Sequence, residues 1–183
     1  MRTEACSVRI LGSRYQQQFR ELEMKLFSHS LLDDLATRAQ TSPRARAHHN
    51  IHETPADPVQ RFFVVTNRNS YFRPHRHIAK AELALVLRGR FHILTFDERG
   101  KVTARYSVGE DTGSMAYETP RATWHTLVAD TDGSAFLEVK EGPYDPLTAS
   151  EFADWAPPEG DPAAATFLKW YRTAQPGELP PKL

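Results

Sequence analysis

One cysteine, Cys6, is all the thiol chemistry that this 183-residue sequence holds, so no internal disulfide can staple it. Net charge is also missing: 23 basic residues balance 23 acidic ones, and no long run of one sign stands out. That leaves no field to recruit nucleic acid or an anionic membrane surface, and neither partner is expected. Apolar runs are too short for a signal peptide or a membrane span, which predicts a cytoplasmic protein. No internal repeat is visible. What remains is a content of 40% hydrophobic and 25% charged residues, enough for one domain with a real core.

The chain divides by pattern. Residues 1–23 read as an N-terminal extension, in which only the stretch from Tyr15 to Glu23 has helical character. Residues 24–45 form a helical lead-in. Ser30 is a cap with Asp33 three residues on, Leu31, Leu35 and Ala39 recur at helical spacing, and Ser42-Pro43 ends the run, which predicts a helix over 31–40. Over 46–160 the helical period gives way to Val-, Phe-, Leu- and Tyr-rich runs. Strands are expected near 59–66, 70–77, 82–88, 90–97, 101–108, 114–118, 124–130 and 134–140. Asp97-Glu98-Arg99-Gly100 supplies a hairpin turn. Short strands so spaced imply an antiparallel sandwich or barrel. Over 161–183, Asp161 as cap and Pro162 at the first helical position predict a C-terminal helix, with Phe167, Leu168 and Tyr171 packed inward and a tail or strap after it.

One constellation carries chemistry. His75 and His77 lie two apart, so on a strand both point to one side, with Tyr71 and Arg73. Glu82 opens the next strand, sharing a face with Ala84 and Val86, while Leu83, Leu85 and Leu87 take the other. Both faces of that strand read as buried, which calls for a covering helix or a second subunit. His125 lies further along, where a folded-over barrel can bring it beside the pair. Three imidazoles and a carboxylate suit one divalent ion per chain: Zn, Fe, Ni, Co or Mn. Solvated strand histidines beside Arg73, Arg76 and Lys80 are the bland alternative.

The spacing His75-x-His77-x4-Glu82-x6-Gly89 resembles the first motif of the cupin superfamily, and Gly113 through Pro120 to His125 resembles the second. Three motif positions differ: Asn69, Ala122 and Ala129 stand where glycine, glycine and asparagine are usual, at turn or packing positions rather than at ligands. A closer resemblance is to the WbuC family of cupin-fold metalloproteins. It is carried by Ser42-Pro43-Arg44-Ala45-Arg46, Asn50-Ile51-His52-Glu53, Asp57-Pro58-Val59-Gln60-Arg61, Arg73-Pro74-His75-Arg76-His77, Thr123-Trp124-His125-Thr126, the run from Glu138 to Pro146, and Trp155-Ala156-Pro157. It implies a mainly β fold: a single cupin-type antiparallel β-barrel or jelly roll with a short N-terminal and a C-terminal helix. Members are often encoded beside surface-polysaccharide genes, and single-domain cupins are commonly homodimers.

Other residues are open to two readings. Glu138 and Lys140 share a strand face and look either to solvent or into the barrel mouth. Tyr144, in a loop fixed by Gly142, Pro143 and Pro146, either donates a proton or lids the core. His48, His49 and His52 sit in what reads as a loop before the first strand, as a second metal group or as solvated side chains. His29 and His92 read as bland. Glu118 is a candidate to orient a ligand imidazole. Together these predict a metal-binding cupin acting on a small polar metabolite such as a sugar or sugar nucleotide in surface-polysaccharide metabolism, in an isomerase or epimerase manner. Arg73, Lys80, Lys140 or Tyr144 would hold an anionic part or move a proton. Alternatives are a non-catalytic metallocupin that binds a small ligand, an iron-dependent dioxygenase, and a metal-free epimerase, for which Glu82 would have no use.

Overall fold

The computed structural model describes residues 24–182. The extension, including Cys6 and the helical candidate at 15–23, lies outside the described residues. Helix α1 (His29–Thr41) is followed by ten strands and helix α2 (Ala164–Thr173). The strands are β1 (Arg46–Asn50), β2 (Val59–Thr66), β3 (His75–Arg76), β4 (Glu82–Arg88), β5 (Arg90–Phe96), β6 (Val102–Gly109), β7 (Ala116–Thr119), β8 (Trp124–Ala129), β9 (Ser134–Glu141) and β10 (Glu151–Phe152). They form two five-stranded antiparallel sheets, ordered β1-β2-β9-β4-β7 and β10-β3-β8-β5-β6. No helix among the described residues is long and apolar enough to cross a membrane.

Three apolar layers hold this arrangement. Between the sheets lie Val64, Ala84, Phe91, Ile93, Val108, Leu127, Ala129 and Phe136, each the inward member of its strand's alternation. Outside the second sheet, α2 packs Phe167 and Tyr171 on Leu94, Phe96, Trp124 and Val128. Because β8 is covered on both faces, all six of its residues are buried. Outside the first sheet, Leu32, Leu35 and Ala39 of α1 pack on Ala47, Val65 and Ala135.

Several expectations need correction. The 70–77 segment pairs as strand only at His75–Arg76, because the proline at 74 cannot donate to a ladder. Phe72 instead gives its carbonyl to the Thr126 hydroxyl at 2.6 Å. His48 and His49 belong to strand β1, paired along β2, rather than to a loop. α1 begins before Ser30, with Ser28 at the cap position making no side-chain capping bond. α2 starts at Ala164, and Asp161 acts one turn earlier, accepting the Ala163 N–H at 2.8 Å. The leucine face of β4 is not closed over: Leu83 and Leu87 are 42% and 41% exposed, since the apolar face of α1 packs on Ala47, Val65 and Ala135 and α1 meets β4 at its end, through Asp33 and Arg88. The C-terminal segment is a strap, Gly177 and Glu178 exchanging backbone bonds with Val102.

Candidate metal centre

Ladder rungs place three of the four donors, and His77 follows directly on from β3. His75 on β3 pairs directly with His125 on β8, which brings their ring centroids to 4.4 Å. His77, just past β3, faces both, at 5.1 Å from His75 and 5.9 Å from His125. Glu82 opens β4 across the interior, opposite Thr119 of β7 and Lys140 of β9. One donor atom from each of the four side chains lies within 4.8 Å of all the others.

The far nitrogens explain the aim. Nδ1 of His75 meets the Arg73 carbonyl at 3.0 Å, Nδ1 of His125 meets that of Thr123 at 2.8 Å, and Nδ1 of His77 meets that of Ala149. A carbonyl only accepts, so Nδ1 carries the proton in all three rings and each Nε2 is turned inward. His77 Nε2 stands 2.9 Å from Glu82 Oε2. His125 Nε2 is buried and has no hydrogen-bond partner. An orphaned, fully enclosed imidazole nitrogen aimed at two other imidazoles and a carboxylate is the arrangement a divalent cation satisfies. The donor set fits the ion.

Electrostatics agree. Burial and the neighbouring His125 push His75 down to about 3, which keeps its imidazole neutral. Burial pushes Glu82 up, but His125 and His77, whenever the inward Nε2 also carries a proton, and the Lys140 ammonium outweigh it and hold the carboxylate well below its usual range. Lys140 is shared, 3.5 Å from Glu82 and 2.6 Å from Glu138. With one ammonium between two buried carboxylates, Glu138 is pushed up to about 8, by burial first and then by the charge of Glu82.

The other candidates are scattered. Lys140 and Glu138 line the same cavity as the ligand cluster, a space of about 580 Å³. Arg73 lines it too, but its guanidinium is held by the carbonyls of Ala156 and Ala153 at 3.1 and 2.8 Å. Tyr144 is 48% exposed and borders an adjoining cavity of about 370 Å³ with His48, Asn50, His52 and Gln60. Lys80 donates to the Pro143 carbonyl at 2.6 Å. Glu118 sits opposite Leu83 at an exposed position, away from the imidazoles, whose far nitrogens take backbone carbonyls instead. His52 is engaged with the backbone of Arg61, and His92 lies on the second sheet beside Asp130, 2.9 Å away. Sequence reasoning missed a group of arginines on the same cavity, Arg38, Arg44 and Arg46; their clustering near Pro43 was its only sign.

Two five-stranded sheets, with one histidine on the third strand and its pair just past it, the acid on the fourth and the last histidine on the eighth, decide the architecture. The fold is a cupin-type jelly roll. A family model described as a domain of unknown function, DUF6016, matches residues 27–108. No curated protein matches the sequence. Among solved structures, a protein from Shewanella oneidensis is similar at TM-score 0.51 and 11% identity, over 66% of this chain and 82% of that one. A cupin 2 conserved barrel domain protein from Rhodopseudomonas palustris gives TM-score 0.44 at 17% identity, over 58% and 66%. The capsular polysaccharide assembling protein CapF from Staphylococcus aureus gives 0.48 at 20% identity, over 57% of this chain and 28% of that one.

Proposed function

We propose that this cupin holds one divalent metal ion through His75, His77, Glu82 and His125 and acts on a small polar metabolite of the sugar or sugar-nucleotide kind by isomerisation or epimerisation. The observation that carries the reading is the convergence of three inward Nε2 atoms, one of them without a partner, on a buried carboxylate. The cavity in front of them has the size of an ordinary small-ligand site. When bound, the ion would polarise a substrate oxygen.

The chain's own residues supply the rest. Glu138, near neutrality in its pKa and hydrogen-bonded to Lys140, is the group on the cavity wall suited to take a proton from a substrate carbon and return it. Phe62, Phe72 and Phe136 line the wall and limit water. The resemblance to WbuC-type cupins supports a place in surface-polysaccharide metabolism.

Elemental analysis of tag-free protein purified without oxygen tests the metal assignment. Wild type is expected to carry about one equivalent; His75→Ala and His125→Ala are expected to carry little. Full occupancy in both variants overturns it. Turnover is tested by wash-in of solvent deuterium to candidate sugars that stabilise the protein to heat. Exchange that persists undiminished in a metal-loaded Glu138→Gln variant removes Glu138 from the proton path.

A further inference from the structure

The cavity lined by His75, His77 and Glu82 has a second chemical end. Arg38 from α1, Arg44 from the following turn and Arg46 from β1 line it with Phe72 and Glu159. Arg46 is nearly enclosed, its side chain 11% exposed. Its position is fixed: the guanidinium lies 4.2 Å over the Phe72 ring and donates to the Ser70 hydroxyl at 3.1 Å and the Tyr71 carbonyl at 3.0 Å. Arg44 is 60% exposed on the solvent side.

One carboxylate serves this group. Glu159 bonds Arg46 and takes a forked pair from Arg44, whose Nη2 is 2.9 Å from Oε1. Arg38 has no carboxylate partner among the described residues. Across the whole cavity, five cationic side chains (Arg38, Arg44, Arg46, Arg73 and Lys140) face three carboxylates (Glu82, Glu138 and Glu159). Two of those three carboxylates share Lys140 deeper in the cavity. The arginine end is therefore left with three guanidinium groups for one acid. Burial and the charges of Arg38, Arg44 and Arg46 together push His48 below its usual value, which marks the positive field there.

We propose that Arg38, Arg44 and Arg46 form an oxyanion subsite, so that the substrate carries a phosphate or carboxylate group bound there while its other end reaches the four-donor cluster. Guanidinium forks match both groups bidentately. Glu159 occupies the subsite as an internal surrogate, and the incoming anion takes its place on Arg44 and Arg46. This rests on reading the barrel as a small-metabolite metal site, and it narrows that substrate to an anionic sugar.

Calorimetric titration at low salt with glucose 1-phosphate, glucuronate and glucose tests it on wild type, Arg38→Ala, Arg44→Ala and Glu159→Gln, each checked for native circular dichroism. At least one charged sugar is expected to bind at least about tenfold more tightly than glucose. Each arginine variant is expected to weaken that binding about tenfold, and Glu159→Gln to strengthen it, with glucose unaffected. Whichever charged sugar binds tells phosphate from carboxylate. The dependence should survive chelation, because the arginines do not touch the ion. Equal affinity for charged and neutral sugars, unchanged binding in the arginine variants, no gain in Glu159→Gln, or loss of all discrimination on chelation each overturn the subsite. Metal content measured on the same preparations reports separately on the ion site.

Discussion

At the scale of single residues, Ala122 is one of three non-glycine positions among the described residues, with Ala45 and Asp111, whose backbone departs from what a side chain tolerates. It takes φ of 57°, the left-handed region that costs an L-residue roughly 1–2 kcal/mol. The strain is held in place by its N–H, which donates to the His77 carbonyl at 2.8 Å and ties the second histidine to the turn before His125. Ala122→Gly is expected to raise stability by roughly 0.5–1 kcal/mol, the relief of strain less the added freedom of the unfolded chain. Urea unfolding at unchanged slope would read this, and a lower midpoint would show that the turn does not need the left-handed conformation. Glu159 gives a pH-dependent case. Burial raises it, but bonds and charge from Arg44 and Arg46 hold it below the ordinary value, so its contribution is complete above the ordinary glutamate range and is lost as pH falls through the lowered value. The stability gap between wild type and Glu159→Gln should therefore close on acidification. A gap that widens in acid would contradict the ion pairing.

Residue identity made the donor set legible, while the groups that orient it were not. His75, His77, Glu82 and His125 follow from a two-residue period and motif spacing, because strand geometry converts spacing into a shared face. The acceptors for their far nitrogens are the carbonyls of Arg73, Thr123 and Ala149, and a carbonyl leaves no mark in sequence. Reasoning from side chains alone led to Glu118. Similarly, Asn69 replaces a motif glycine without consequence, since its φ is not positive. Gly89 cannot be replaced so freely: at φ of 75° a Cβ would lie 2.4 Å from the Ser134 hydroxyl.

Among elements, β4 and β9 were visible because each is an apolar-rich run that ends at a turn signal, Gly89 and Gly142-Pro143. β1 was not, because His48, His49 and Asn50 are a polar run whose strand character comes only from pairing with β2. The two-residue β10 is likewise created by its partner β3. α2 shows how an outlying element supports the interior. Phe167 is 1% exposed and packs with Tyr171, which is stacked on Tyr71 at 5.8 Å. Phe167→Ala is expected to cost about 3–5 kcal/mol by leaving a cavity under the second sheet. Chemical denaturation would measure it; a loss below about 1 kcal/mol would mean that α2 docks without anchoring the sheet.

For the whole molecule, ion and fold should be linked thermodynamically. A cation that binds only the folded state adds stability by mass action, about 2.7 kcal/mol at a hundredfold excess over its dissociation constant. Chelation is expected to lower the melting temperature of wild type and to leave those of His75→Ala and His125→Ala unmoved. An equal drop in all three would place the chelator's effect elsewhere. The linkage has a geometric root in the ladder between β4 and β9. Glu82 stands opposite Lys140 on that ladder, and the pairing continues rung by rung to Val86 and Phe136, after which Leu87 is skipped and Arg88 meets Ala135. That one surplus residue resets odd and even between the corner at Gly89 and the start of the strand. Counted from the corner without it, the carboxylate would fall on the outer surface and Leu83 would point at the imidazoles. The inward aim of Glu82 is decided five positions away, by a leucine that coordinates nothing.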